Sequence, residues 1–315
     1  MPNIHSRRAL CRTLCLLLAV THIALSLFAL PVAAKESGES AYREVSAIGK
    51  TALYPGELSA HSAVLMDADS GQVFYEKNAN TRLPMASTTK IMTALVICEQ
   101  CNVLDRMRIP KEAVGIEGSS MYLQEGEILT VQDLLYGLML HSGNDAAVAL
   151  AEHISGSVEI FCEEMNRKAK QIGTEDTVFG SPNGLDSHLT DAEHHSTAYD
   201  MALITAYALQ NESFREIISQ PEITIADMSG KHICHVTNTD RFLKEYDGAI
   251  GVKTGYTNKA GHCFVGAAER EDVLLISSVL GSGWGNTGKQ KKWTDTKALM
   301  DYGFANFKPS EVLKK

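Results

Sequence analysis

Apolar positions recur along the chain with two different periods, and the switches between them outline its elements. Ala63 to Met66 and Gln72 to Glu76 are short strand-like runs flanking Asp67-Ala68-Asp69-Ser70-Gly71, which has hairpin-turn chemistry, so a first hairpin is predicted. From Thr88 to Gln100 the period lengthens, and Ile91, Met92, Leu95 and Val96 fall on one helical face. Leu134, Leu135, Leu138 and Met139 make a second helical stripe over Val131 to Leu140, with Thr130 and Asp133 placed as a capping pair. His141-Ser142-Gly143-Asn144 interrupts that pattern before an alanine-rich helix resumes from Asp145 to Ile154. Tyr199 to Leu209 reads as a further helix. Cys263 to Ala268 and Val273 to Leu280, joined by Glu269-Arg270-Glu271-Asp272, predict a second and more apolar hairpin. Strands near both ends with helices between them predict an α+β domain whose antiparallel sheet is built from both termini and packed with helices.

The N-terminus departs from this pattern. His5, Arg7, Arg8 and Arg12 precede an apolar stretch from Thr13 to Leu30, then Pro31 and the small residues Val32-Ala33-Ala34. That order is the signature of a secretory signal peptide over residues 1–34, cut after Ala34. An uncleaved membrane anchor is the competing reading, since the stretch is about long enough to span, but His22, Pro31 and the small residues at the cut favour cleavage. Ser6-Arg7-Arg8 with Leu10 also loosely resembles a twin-arginine export signal. Residues 35–60 read as an N-terminal arm and residues 61–315 as one catalytic domain. Across the 315 residues a formal net charge of -9, with no offsetting basic run, argues against nucleic acid as a partner. Cleavage would remove Cys11 and Cys15, leaving Cys98, Cys101, Cys162, Cys234 and Cys263. Five is odd, so at least one thiol stays unpaired within the chain. Cys98-Glu99-Gln100-Cys101 has CxxC spacing without the further ligands of a zinc site or the context of a redox motif, and the cysteines read as small core residues.

Three short elements carry the candidate chemistry: Ser87-Thr88-Thr89-Lys90 at a helix start, Ser142-Gly143-Asn144 between helices, and Lys253-Thr254-Gly255 just ahead of the second hairpin. A serine hydroxyl needs a base within hydrogen-bond reach, and a three-residue offset on a helix puts Ser87 and Lys90 on one face. Lys90 is the candidate base. It must be largely uncharged to act near neutral pH, and burial beside a second cation such as Lys253 lowers its pKa in that direction. Ser142 can relay the proton to a leaving amine. Asn144 can hold the lysine and the substrate backbone, and can also cap the helix beginning at Asp145. Lys253 and Thr254 suit a peptide's terminal carboxylate, Gly255 leaves space for the substrate backbone, and the amides of Ser87 and Tyr256 are candidate oxyanion donors.

The order S-x-x-K, S-x-N, K-T-G resembles the signature of penicillin-binding proteins and class A β-lactamases. Leu83-Pro84-Met85-Ala86-Ser87-Thr88-Thr89-Lys90-Ile91-Met92-Thr93-Ala94-Leu95 is similar to the nucleophile segment of the low-molecular-mass D-Ala-D-Ala carboxypeptidases, peptidase family S11, of the sporulation-associated kind. Ser181-Pro182-Asn183-Gly184-Leu185, Ser196-Thr197-Ala198-Tyr199-Asp200-Met201 and Gly251-Val252-Lys253-Thr254-Gly255-Tyr256-Thr257 match as well, so the resemblance spans roughly residues 60 to 307. It implies a penicillin-binding/β-lactamase-like serine transpeptidase fold and removal of the terminal D-alanine from peptidoglycan stem peptides through an acyl-enzyme on Ser87. It also implies covalent inhibition by β-lactams and no cofactor or metal. Asn238-Thr239-Asp240 stands where the family often has Asn-Thr-Asn, on what reads as a structural loop. Family members usually continue into a β-rich domain and an amphipathic anchor that these 315 residues are not expected to contain. The expectation is an exported protein of the cell envelope, released or loosely membrane-associated.

Two rivals are weighed against this reading. A class A-like β-lactamase would carry a Glu-x-x-x-Asn segment after Ser142, and Glu163 with Asn166 has the wrong interval. A non-catalytic peptidoglycan-binding protein would have no chemical need for Ser87, Lys90, Ser142, Asn144 and Lys253 together. His188, His194 and His195, with Asp191 and Glu193, match no standard metal spacing and read as solvated loop histidines.

Overall fold

The computed structural model describes residues 54–307. The signal peptide, with Cys11 and Cys15, and most of the N-terminal arm lie outside the described residues. Ser62–Asp67 (β1) turns back as Val73–Lys77 (β2), the Asp67 carboxylate closing the turn by accepting from the Ser70 amide at 2.8 Å and hydroxyl at 2.6 Å. A single 3-10 turn, Ala86–Thr89, leads into α1 (Lys90–Gln100). The short strands Arg106–Arg108 (β3) and Ile128–Thr130 (β4) pair with each other. Then follow α2 (Val131–Met139), α3 (Asn144–Ser155), α4 (Val158–Ile172), α5 (Ala198–Ala208) and α6 (Glu212–Ser219). Thr130 and Asp133 form the reciprocal capping box of α2, as the sequence predicts. A hairpin of Glu222–Ala226 (β5) and Ile233–Thr237 (β6) precedes the central strands Ala249–Thr257 (β7), Gly261–Arg270 (β8) and Val273–Leu280 (β9), and Lys291–Asn306 (α7) closes the described chain.

The main sheet has the order β2-β1-β9-β8-β7, antiparallel throughout, so the first strand pairs with the last. Alternation along each strand sends side chains to two cores. Val64, Met66, Val265, Ala267 and Ile276 face the helices α1 to α6. Ala63, Leu65, Phe264, Leu275 and Val279 face α7, with Trp293, Leu299 and Met300 packed on them. This is the predicted α+β architecture, with one strand added to the main sheet. Lys253-Thr254-Gly255 lies ahead of the β8–β9 hairpin as expected, but within a strand of its own, the edge strand β7, in register with Val265, Phe264 and Cys263 of β8. The buried Lys253 breaks the apolar pattern, and the register shifts between Ala249 and Gly251, which hid this strand from a periodicity reading.

The nucleophile segment also differs in detail. Ser87 sits in the 3-10 turn, and the α-helix proper starts at Lys90. Ala86, just before Ser87, takes φ 49, a left-handed conformation that costs a non-glycine residue about 1–3 kcal/mol. The five cysteines in the described residues are unpaired; Cys162 and Cys263 are buried, and Cys98, Cys101 and Cys234 are partly so. Burial raises the Cys98 and Cys162 thiols to about 12. Among the described residues no helix is long and apolar enough to cross a membrane.

Candidate active site

Lys90 is fully buried at the first turn of α1, where a charged ammonium would be costly. Burial drives its pKa well below the ordinary lysine value, the positive charge of Lys253 pushes the same way, and Asp145 opposes. Its Nζ contacts three oxygens: Ser87 Oγ at 2.9 Å, Asn144 Oδ1 at 2.7 Å and the Asn183 carbonyl at 2.5 Å. Asn144 Oδ1 and Asn183 O can only accept. The Ser87 hydroxyl also lies 3.4 Å from the Asn183 carbonyl; with Lys90 neutral, its two N–H donors serve the two carbonyls and its lone pair is available to the Ser87 hydroxyl at 2.9 Å. The geometry thus sets Lys90 to receive a proton from Ser87.

The seat around this pair is built from three loops. Asn144 has its amide fixed by donation from Nδ2 to the Glu117 carbonyl at 2.7 Å. Next to it, the buried Asp145 carboxylate accepts from the Ser120 hydroxyl and from the Met121, Leu123 and Ala146 amides, tying residues 117–123 to the start of α3. Asn144 therefore faces Lys90 rather than capping the helix: it is the first residue of α3, and no side-chain cap bond forms there. Ser142 lies on the connection between α2 and α3 in the left-handed region, at φ 66. Its hydroxyl makes no hydrogen bond among the described residues, so the structure does not link it to Ser87 or Lys90.

The opposite wall is the Ser181–Leu185 loop. Gly184 has φ 85, and a Cβ there would come within 2.1 Å of the Ala86 carbonyl oxygen, so only glycine lets this loop press on the nucleophile turn. Strand β7 passes equally close. A Cβ on Gly255 would stand 2.9 Å from the Ser87 amide nitrogen. Thr254 Oγ1 lies 3.3 Å from Thr239 Oγ1, while Tyr256 packs its ring on His262 and gives its hydroxyl to Asn258, away from Lys90.

Behind the edge strand lies a set of buried ionisable groups. Lys253 donates to the Thr254 carbonyl at 3.0 Å, and its pKa is lowered to about 7 by burial and by Lys292, with Asp240 opposing. Asp240 is pushed up to about 7 by burial, and its Oδ2 has no hydrogen-bond partner among the described residues. Lys292, at the start of α7, is lowered to about 8 by burial. Position 240 is therefore more than part of a structural loop: its carboxylate is buried and interacts electrostatically with both Lys253 and Lys292. The histidines differ from expectation too: His194 and His195 are buried, at 1% and 5% exposure, rather than solvated.

Sequence reasoning missed Asn183, whose contribution is a backbone carbonyl with no side-chain signature, although its segment stood out as a match. It also missed Thr239, His194 and Lys292. A single polar residue of that kind carries no periodic signal.

An α+β domain with a Ser-x-x-Lys pair buried between a helix start and an edge strand defines a serine acyl-transfer enzyme of the penicillin-binding class. Residues 48–283 match the D-alanyl-D-alanine carboxypeptidase family, peptidase family S11, and the chain belongs to it. It is 39% identical over 261 residues to the D-alanyl-D-alanine carboxypeptidase DacF of Bacillus subtilis, covering 81% of this chain and 65% of that relative's length. A penicillin-binding protein homologue from Mycobacterium tuberculosis superposes with a TM-score of 0.74 at 33% identity, over 80% of this chain and 94% of its own. Penicillin-binding protein D2 of Listeria monocytogenes, solved in its ampicillin-bound form, gives 0.68 at 31% identity, over 78% and 98%.

Proposed function

We infer that this protein is a serine D-alanyl-D-alanine carboxypeptidase acting on peptidoglycan stem peptides. The observation that carries the reading is the buried Lys90 Nζ held between Ser87 Oγ, Asn144 Oδ1 and the Asn183 carbonyl, with burial and Lys253 both disfavouring its charged form. In the forward step Lys90 Nζ takes the Ser87 proton as Oγ bonds to the carbonyl carbon of the penultimate D-alanine. The oxyanion is held by the Ser87 and Tyr256 amides, and the C–N bond breaks as the proton reaches the leaving D-alanine amine, with Ser142 as relay. Water then takes the place of the amine and gives a proton to Lys90 as its oxygen bonds to the acyl carbon; the C–Oγ bond breaks as Lys90 returns that proton to Ser87 Oγ, releasing the shortened peptide. Lys253 and Thr254 receive the terminal carboxylate that distinguishes a carboxypeptidase substrate.

A β-lactam presents an amide and a carboxylate in a similar arrangement, so the same steps leave it as an ester on Ser87. The arginine-rich, apolar leader supports export to the cell envelope, where the substrate resides. Incubation with a labelled penicillin followed by peptide mass spectrometry tests the function. A long-lived adduct on Ser87, together with D-alanine release from a D-Ala-D-Ala peptide, is expected. Rapid penicillin turnover would point to a β-lactamase, and no adduct would rule the reading out.

A further inference from the structure

The described residues hold one buried titratable side chain that touches both halves of the Lys90 seat and has no role in the steps above. We propose that His194 is a positioning residue that clamps the Ser87 turn to the loop carrying Asn183. The proposal rests on the carboxypeptidase reading and extends it to the residue that sets the geometry of Ser87 and Lys90.

The imidazole makes two hydrogen bonds, and together they fix its tautomer. The Gly180 amide donates to Nδ1 at 3.2 Å, so Nδ1 carries the lone pair and the ring proton is on Nε2. Nε2 lies 3.2 Å from Thr89 Oγ1, and Thr89 Oγ1 in turn donates to the Ala86 carbonyl at 2.8 Å. A directed chain therefore runs from the Gly180 amide through the imidazole and the Thr89 hydroxyl to Ala86. Ala86 precedes Ser87 and Thr89 precedes Lys90, so the chain ends on both sides of the nucleophile. Its other end, Gly180, opens the loop whose Asn183 carbonyl accepts from Lys90 and whose Gly184 abuts Ala86.

The ring is itself held in place. The His194 amide donates to the Thr190 carbonyl at 3.1 Å, and His195 pairs with Val178 through both backbone bonds. A Cβ on Gly180 would lie 2.6 Å from the Glu193 carbonyl, so the two chain segments touch at this point. The chain works only with a neutral ring, because a proton on Nδ1 would face the Gly180 N–H donor to donor. Burial opposes that proton, and so do the neighbouring charges of His195 and of Lys259, whose Nζ is paired with Asp191 at 2.7 Å. Glu193 bonds to Thr190, and Lys90 lies across Thr89 within the seat already described.

The test is a comparison of acylation rates with a fluorescent penicillin at pH 7.5 and of KM for a D-Ala-D-Ala peptide. An asparagine in place of His194 can accept from Gly180 but is too short to reach Thr89, whereas a glutamine can reach it. His194→Asn should slow acylation about tenfold or more with KM within about twofold, the pattern of a misplaced reacting group rather than lost binding. His194→Gln should recover most of the rate. Thr89→Val, with His194 intact, should lose a similar factor, and combining it with His194→Asn should lose no more than the worse single change, since both break one link. If both single variants acylate within about twofold of the parent, or if their losses multiply, the clamp is overturned. Should His194→Asn fail to fold, Thr89→Val alone decides. A parent protein that forms no adduct would overturn the carboxypeptidase reading instead.

Discussion

A carboxylate at position 240 alters the lysine that reads the substrate's terminus. Asp240 is buried and raises the pKa of Lys253 against the larger lowering by burial and Lys292. The three groups titrate as a coupled set between about 7 and 8. The pH dependence of kcat/KM reports the free enzyme, so it should show a basic limb as Lys253 loses its proton and its attraction for a carboxylate. Asp240→Asn removes a negative charge and should move that limb to lower pH. A steady-state pH profile of the two proteins checks the shift, and superimposable profiles would show that Asp240 does not act on Lys253. At Lys90 the expectation is larger: Lys90→Ala should slow acylation by about 10²–10⁴-fold while circular dichroism stays native. Were that variant to acylate at the parent rate, another group would have to be the base.

At the scale of elements, the legible parts were those whose buried face is apolar through the middle of the element, with buried polar residues few beside the apolar ones. The β1–β2 and β8–β9 hairpins, α1, α2, α3 and α5 all lie within a few residues of their predicted bounds, because each follows one period without interruption. Helix α7 was not legible. Its buried face includes Lys292, Asp295 and Thr296, and Asp295 is turned inward to accept the Ser59 and Ala60 amides at 2.9 and 2.8 Å. Strand β7 was hidden in the same way by Lys253. Ser87, Lys90 and Asn144 were legible as a set because the geometry joining them is three residues of helix and one helix–helix connection. The Ser181–Leu185 wall was seen only as a matching segment, since its contact with Ala86 depends on a backbone conformation. That contact is testable: Gly184→Ala adds a methyl at φ 85 within 2.1 Å of a backbone oxygen. It should lower stability by about 1–3 kcal/mol and slow acylation more than tenfold, measured by urea unfolding and penicillin labelling. A variant with lowered stability and an unchanged acylation rate would mean that the loop supports the fold without shaping the nucleophile turn.

For the whole molecule, the buried lysines place the site in opposition to stability. An unfolded lysine holds its proton to about 10.4, whereas Lys253 and Lys292 release theirs at about 7 and 8 in the folded protein. Between those values the unfolded chain binds more protons than the folded one, so the free energy of unfolding rises with pH. Asp240 acts in the reverse sense, but below pH 7: its folded pKa of about 7 exceeds the unfolded value, so its contribution falls between about 4 and 7 and is flat above. His194, lowered to about 4, adds stability that is complete above about 6.5 and is lost as pH falls toward 4. Above pH 7 the lysines act against the buried thiols: Cys98 and Cys162 are raised to about 12, and their contribution to stability is lost as the unfolded thiols ionise above about 8.5. The contribution of one amine is isolated by comparison: urea denaturation should show the parent gaining on the order of 2 kcal/mol more than Lys253→Met between pH 7 and pH 9. Lys253→Met replaces the buried amine with an apolar chain of similar length. It should raise stability at pH 7 and weaken binding of peptides with a free terminal carboxylate while sparing amidated ones. This trade follows from holding two lysines beside an edge strand without a charged substrate to pair with them. If the parent and Lys253→Met ran parallel from pH 7 to 9, Lys253 would have to keep its proton in the folded protein, and the basic limb of kcat/KM would belong to another group.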